Sequence, residues 1–407
     1  MTDLPETVSQ TGVSQTRISQ TGISQAMPGA GPLTPAATRL VTVFGGSGFL
    51  GRHVVRALAK RGYRIRVAVR RPDLALFLQP LGKVGQIVAV QANLRYPQSI
   101  AQAVAGADIV VNLVGILQES GRQSFSGLQA EGAGAIARAA AAVGAHLVHV
   151  SALGADAQSA SQYARSKALG EAQVFAARPD AVVFRPSIVF GPGDSFFNRF
   201  AGLARALPVL PLAGAETRFQ PVFVGDVAEA VARAVDGKVP GGTVYELGGP
   251  EIRTLEALVR YMLETTMRRR PVVALPLLAA NLQARMLEIV DTLSLGLLPD
   301  ALKLTRDQVT LLQTDNVVSE AAEAEGRTIT ALGVVPTALE AVVPGYLWRF
   351  RKAGQFTTAA RPAEVEVAPT SAPEPMPASG VQRPSGPAIG PDASAPSRMG
   401  TRWGTRD

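Results

Sequence analysis

The chain has 407 residues, 47% of them hydrophobic, which is enough for a sizeable core with tails left over. It has no cysteine, which excludes disulfides, thiolate catalysis and cysteine-held metals or clusters, and with only His53, His146 and His149 no metal site is expected. The formal net charge of +8, from 40 Lys and Arg against 32 Asp and Glu, suits an anionic ligand, an acidic partner or a lipid headgroup surface and does not single out nucleic acid.

Residues 8–27 read VSQTG VSQTR ISQTG ISQAM, a polar five-residue repeat that runs into a Pro/Gly/Ala stretch. Such a repeat cannot bury enough apolar surface to offset its ordering entropy, so residues 1–38 are expected to form a disordered tail. Asp3 and Glu6 against a single Arg17, with no apolar run behind them, fit neither a secretory signal nor a transit peptide, and the chain is expected to be neither processed nor exported. No window of about 18 uninterrupted apolar residues occurs, so no membrane span is expected.

Short apolar runs then alternate with helix-like stretches. LVTVF (40–44), IRVAV (65–69), IVAVQ (87–91), IVVNLV (109–114), HLVHV (146–150) and AVVFR (181–185) are continuous and β-branched, as buried parallel strands are. FLGRHVVRALAKRG, AGAIARAAAAVG and SQYARSKALGEAQVFAAR supply helices between them. This alternation predicts an α/β fold with a Rossmann-type doubly wound parallel sheet over residues 39–186. After Pro186 the pattern loosens, and residues 187–356 are expected to form a smaller, mixed C-terminal lobe. Within it GDVAEAVARAVDG (225–237) and TVYEL (243–247) should return a helix and a strand to the sheet over about 225–248. Residues 357–407, rich in Pro, Ala and Ser, are expected to be a second disordered tail.

The first strand runs into Gly45, Gly48 and Gly51, a G-x-x-G-x-x-G pattern with Phe49 and Leu50 between the last two glycines. A tight turn, the close approach of a pyrophosphate and helix–strand contact each exclude a Cβ there, and the amides of the helix start would face phosphate. In an alternating β/α chain this predicts a dinucleotide site. An NAD-selective site usually has an acid about 20 residues further on, at the end of the second strand. Here stand Arg70 and Arg71, whose forks suit a 2′-phosphate and favour NADP(H), although two solvated arginines beside Asp73 are the alternative. Asn93, past the third strand, either meets the adenine edge or belongs to a turn.

In SQYARSKALGE, Tyr163 and Lys167 lie at i and i+4, on one face of a helix, where the ammonium can lower the phenol's pKa or hold a ribose. An isolated pair of this kind is more often a coincidence, so context decides. Together GGSGFLG, YARSK, RPSIVFGPGD and FQPVFVGDVAEAV resemble the extended and atypical branch of the short-chain dehydrogenase/reductase superfamily over about Arg39 to Pro271. That resemblance implies Tyr163 as general acid/base, Lys167 as ribose ligand and activator of Tyr163, and Ser151 as the group polarising a substrate carbonyl. It also implies that Arg185, Pro186 and Ser187 line the nicotinamide end and that Asn112 to Gly115, Val114 included, border the cofactor.

HVSALGAD with YARSKALGE, LPDALKLTRDQVTLLQTDNVV and ALGVVPTALEAVVPGYLWRFR narrow the match, and resemble the nucleotide-binding accessory subunit of respiratory complex I (NADH:ubiquinone oxidoreductase). This implies a tightly held NADPH and a peripheral place on the cytoplasmic face of a bacterial inner membrane. It also implies other complex I subunits near the quinone module as partners, and a stabilising or assembly role without electron transfer. Ser151, Tyr163 and Lys167 would then be vestigial, and the short spacing from Ser151 to Tyr163 leaves little room for a substrate loop. The alternative is a free NADP-dependent oxidoreductase or epimerase in which all three work.

Downstream, Leu278, Leu282, Met286, Ile289, Val290 and Leu293 fall near one stripe of a helix read over 275–299. It either faces the core or, behind Arg268, Arg269 and Arg270, docks on a partner or a bilayer surface. Tyr346, Trp348 and Phe350, interleaved with Arg349, Arg351 and Lys352, repeat the mixture, so 268–299 and 346–352 are the candidate segments for membrane-surface contact, with a core-facing helix as the alternative for the first; no nucleic-acid partner is expected.

Overall fold

A computed structural model describes residues 36–276, 305–352 and 354. The β-branched runs form strands β1 (Leu40–Phe44), β2 (Arg64–Val69), β3 (Ile87–Gln91), β4 (Ile109–Asn112), β5 (His146–Val150) and β6 (Val182–Pro186). Between them lie helices α1 (Phe49–Lys60), α2 (Pro97–Val104), α3 (Gly132–Ala142) and α4 (Gln162–Ala177). The chain continues through β7 (Val189–Phe190), α5 (Phe196–Ala206), β8 (Leu210–Ala213), β9 (Arg218–Phe219), β10 (Val222–Phe223), α6 (Val224–Val235) and β11 (Thr243–Leu247). Then come β12 (Arg253–Thr254), α7 (Leu255–Thr265) and β13 (Val272–Leu275).

Seven strands form one parallel sheet in the order β11-β6-β5-β4-β1-β2-β3. The period-2 pleat divides β1 between two cores. Val41 and Val43 pack with Val54, Leu58, Val227 and Val231 of α1 and α6, whereas Phe44 packs with Ile100, Ile136 and Val174 of α2, α3 and α4. Burying each such side chain contributes roughly 1.5–3 kcal/mol. Helices on both faces leave no polar side to the sheet, which is why its strands read as unbroken apolar runs. α6 packs beside α1 and β11 joins β6 at the sheet edge, with Thr243 opposite Val182. β4 ends at Asn112, two residues before the expected Val114, because the Asn112 Oδ1 accepts the Val114 N–H (3.0 Å) and turns the chain out of the ladder.

A third core gathers Phe190, Phe197, Leu258, Met262, Val343 and Leu347 from α5, α7 and the C-terminal segments. Short helices at Arg306–Leu311, Glu320–Ala324, Leu339–Val342 and Pro344–Leu347 complete it. Of the expected surface segments, Arg268 Nε donates to Phe350 O (2.9 Å) and Arg270 Nε to Ala204 O (3.0 Å), so both arginines tie down their own lobe. Tyr346 is buried and its hydroxyl bonds the Asp194 carboxylate, which leaves Trp348 as the exposed aromatic of that run. The stripe from Leu278 to Leu293, residues 1–35 of the amino-terminal tail and the carboxyl-terminal tail from 357 lie outside the described residues. Among the described residues no helix is long and apolar enough to cross a membrane.

Candidate functional site

At the C-terminal ends of β1 to β4, where the strand order reverses between β1 and β4, lies a cleft of about 270 Å³. Gly45, Ser47, Gly48, Arg70, Asn93, Val114 and Gly115 line it. Gly45 takes φ +76°, and a Cβ there would stand 3.2 Å from the Leu113 carbonyl carbon. A Cβ on Gly51 would stand 2.3 Å from Gly45 O, so only glycine lets α1 start this close to β1. Gly48 is the N-cap of α1 and supplies no side-chain cap, so the amides of the first turn are left for an anion. Arg52, one turn into α1, has a buried Nε without a hydrogen-bond partner, and its guanidinium faces Gly193.

The second half of the site comes from β5 and α4. Ser151 is buried just past β5, and its Oγ has no partner. Lys167 is buried too, with its Nζ 5.9 Å from the centroid of the Tyr163 ring and 3.2 Å from where a Cβ on Gly115 would stand, which brings the ammonium to the wall of the cleft. Burial lowers the Lys167 pKa to about 8 against the opposing pull of Glu171, and burial pushes the Tyr163 phenol up to about 12. The lowering of Tyr163 by Lys167 that the resemblance implies is absent from this geometry: desolvation governs the phenol, which stays protonated at neutral pH and is equipped to donate a proton. The Phe125 ring meets the Tyr163 ring edge-on at 5.8 Å.

Behind Ser151, on the same side of β5, sits His149, fully buried and held neutral by burial with its pKa lowered to about 3. Asn112 fixes its tautomer. Because the Asn112 Oδ1 takes the Val114 N–H, its Nδ2 donates to His149 Nδ1 (3.1 Å), and the histidine's own proton must lie on Nε2. That Nε2 is buried without a partner.

Helix α4 is held at three levels. Its start is capped by Ser161, whose Oγ accepts the Ala164 N–H (3.3 Å), and by Asp307 from the C-terminal lobe. Its middle presses on the 126–131 segment at Gly170, where a Cβ would stand 2.2 Å from Gln129 O, while Ser166 Oγ donates to Gln129 Oε1 (2.8 Å). One turn past Lys167, Glu171 takes both arms of the Arg185 fork (2.9 and 2.6 Å).

The structure thus brings Gly45, Gly48, Arg70, Asn93, Val114 and Gly115 to one cleft, with Lys167 at its wall. Arg71 is placed elsewhere: its Nη2 pairs with Asp73 (3.0 Å) in an exposed ion pair. Asn93 does turn work as well, since its Oδ1 accepts the Arg95 N–H (3.2 Å). Phe49 stacks edge-on with His53 and Leu50 packs on the core, so neither lines the cleft. Pro186 closes β6 and accepts from Leu153 N (3.0 Å). Arg185 holds Glu171, and Ser187 Oγ donates to Asn316 Oδ1 (2.7 Å). Sequence reasoning missed His149, Arg52, Ser47, Gln129 and Asp307. His149 had one available signal, its i, i+2 spacing from Ser151 on a strand; Asp307 had none near Tyr163.

The dinucleotide that this fold implies fits these residues. The glycine cradle is a space that any Cβ would fill, and Ser151 Oγ and His149 Nε2 are buried polar atoms still lacking a partner. A sequence profile of the NAD dependent epimerase/dehydratase family matches residues 41–248. The chain is 33% identical over 335 residues to the mitochondrial NADH dehydrogenase [ubiquinone] 1 alpha subcomplex subunit 9 of Arabidopsis thaliana, covering 81% of this chain and 82% of the relative. It is 38% identical over 192 residues to the ceramide reductase of Caulobacter vibrioides, covering 47% of this chain and 59% of that protein. Its fold superposes on an NADPH-dependent quinone oxidoreductase of Escherichia coli with TM-score 0.58 and 21% identity, covering 75% of this chain and 99% of the other.

Proposed function

From the premise that this chain belongs to the NAD dependent epimerase/dehydratase family, and within it to the line of the complex I alpha subcomplex subunit 9 proteins, we propose that it is an NADPH-holding subunit of respiratory complex I that stabilises the assembly near the quinone module. The observation that carries this reading is the pairing of a glycine cradle with a buried lysine. Lys167 is buried with its ammonium beside Gly115 at the cleft, where ribose hydroxyls and phosphate would offer it hydrogen-bond and charge partners. Arg70, on the cleft wall past β2, is the group that selects the 2′-phosphate. When bound, the nicotinamide supplies or accepts a hydride. The chain's own residues hold a proton on the Tyr163 hydroxyl, keep His149 neutral and leave the buried Ser151 hydroxyl without a partner.

The subunit acts peripherally, on the cytoplasmic face of the inner membrane. Isolation of native respiratory membranes tests this: the protein should co-migrate with complex I and release NADPH on denaturation. Its absence from every complex I fraction overturns the reading.

A second reading is favoured by the intact Ser151, Tyr163 and Lys167 and by the ceramide reductase match: a free NADPH-dependent reductase of a lipid carbonyl. Turnover of such a substrate by the free protein, abolished by Tyr163→Phe, would establish it.

A further inference from the structure

The helix that carries Tyr163 and Lys167 does not complete its own N-terminus. Three of its first donors converge on one carboxylate from the C-terminal lobe, at a sequence distance of 144 to 146 residues. Asp307 Oδ2 accepts the Ser161 hydroxyl (2.8 Å) and the Tyr163 N–H (3.2 Å), and Asp307 Oδ1 accepts the Gln162 N–H (2.6 Å). Ser161 Oγ in turn accepts the Ala164 N–H (3.3 Å), so serine and aspartate form one composite cap. Nine residues on, Asn316 fastens the opposite side of the site. It takes the Ser187 hydroxyl on its Oδ1 (2.7 Å) and donates its Nδ2 to Leu153 O (3.3 Å), two residues beyond Ser151. Thr217 Oγ1 donates to Leu312 O between these anchors, and Val318 N donates to Gln220 Oε1 (2.9 Å) beyond them.

We propose that Asp307 is the positioning residue for Tyr163 and Lys167, and that docking of the 305–318 strap sets how well the site holds its nucleotide. This rests on the reading of the site as an NADPH grip. The physical basis is the helix start. A carboxylate there satisfies amides that would otherwise face water or nothing, and it opposes the positive end of the macrodipole. Without it the first turn frays, and Tyr163 is the second residue of that turn. Lys167 lies one turn deeper, with Glu171 anchored by Arg185 another turn on, so it should suffer less. Loss of Asp307 therefore has an ordered signature, with the tyrosine disturbed first and the lysine second.

The test uses the full chain, stripped of nucleotide and titrated with NADPH by its fluorescence. Asp307→Ala is expected to weaken NADPH by about tenfold, and Asp307→Asn, which keeps one acceptor oxygen and loses the charge, by about threefold. A second readout follows Tyr163 itself. In a spectrophotometric titration, subtracting the curve of the Tyr163→Phe form of each protein isolates this phenol, and it should ionise at lower pH in Asp307→Ala than in the parent. A merely structural aspartate would lower the melting temperature without moving that titration. If Asp307→Ala does not fold, Asp307→Asn and Ser161→Ala decide by the same two measurements.

Affinity within twofold of the parent together with an unmoved Tyr163 titration overturns the proposal. If the parent itself takes up no NADPH, the functional reading fails, and the phenol titration alone still decides the role of Asp307.

Discussion

The glycine cradle is made of backbone from one stretch, Phe44 to Gly51, whereas the tyrosine half of the candidate site, whose Tyr163 and Ser151 do not line the cleft, is made of side chains brought in from β4, β5, α4 and residue 307. The first end works by leaving atoms out: positions where a Cβ would collide and amides that no side chain caps. The second works by holding polar side chains in place away from solvent, with Ser151 Oγ and His149 Nε2 still lacking a partner. A backbone-built end should thus fail all at once when mass is added. A side-chain-built end should fail by degrees, with dependence on pH.

The largest effect is expected from Gly51→Ala. Its Cβ would lie 2.3 Å from Gly45 O, so the backbone must move, and NADPH affinity should fall more than about a hundredfold, roughly 3 kcal/mol, by fluorescence titration. Affinity within tenfold of the parent would mean that the cradle tolerates mass and that the contrast between the ends is false. At the other end, His149 sharpens the comparison through acid. Unfolded, a histidine protonates near 6.5; folded, His149 resists until about 3, so between these values the unfolded chain binds more protons. Stability is therefore complete above 6.5 and drains as pH falls, by about 1.4 kcal/mol per unit or about 3 kcal/mol by pH 4.5. In urea melts the His149→Gln variant should show a flatter acid limb, and an unchanged slope would place the acid sensitivity elsewhere.

Lys167→Met keeps most of the packing and removes the ammonium. A loss of roughly 1.5–3 kcal/mol in NADPH binding is expected, the range of a charge-assisted hydrogen bond. In the parent, affinity should be full below about pH 8 and decline above it, by up to about tenfold per unit, as Lys167 gives up its proton; Lys167→Met should lack that decline. Arg70→Ala should lower affinity for NADPH by about tenfold relative to NADH, and Arg71→Ala by less than about threefold, because Arg71 is turned to Asp73 in an exposed pair and does not line the cleft. Equal effects of the two would return the 2′-phosphate contact to both. The smallest change is expected from Tyr163→Phe, whose NADPH affinity should stay within about twofold, since the ring and its contact with Phe125 remain.

The same contrast explains what could be read in advance. The sheet was legible because parallel strands buried on both faces leave continuous β-branched runs, and the cradle was legible because its three glycines stand between the first strand and a helix of an alternating β/α chain. Tyr163, Lys167 and Ser151 were legible as residue types, and so was Arg70 as the cation at the end of β2. Arg71 was misplaced as its twin: pattern alone does not tell which of two adjacent arginines turns to the neighbouring Asp73. Phe49 and Leu50 stood inside the motif, yet helix geometry turns them to His53 and the core. Asp307 had no local sign at all, because capping across lobes is written in the tertiary fold. The lowered tyrosine pKa that the motif implied depends on a desolvation balance that spacing does not carry.

The distance in sequence between Tyr163 and Asp307 also orders events in time. A chain emerges from the ribosome amino end first, at roughly 5–20 residues per second. The glycine cradle and α4 are therefore out of the exit tunnel well before the carboxylate that caps α4, 144 residues later, an interval of roughly 7–30 s. During that interval the nascent chain has its glycine cradle and an α4 without its Asp307 cap. If the site is the nucleotide grip proposed above, its full affinity is reached only once synthesis has passed residue 307, and a chain truncated before it would hold its nucleotide more weakly.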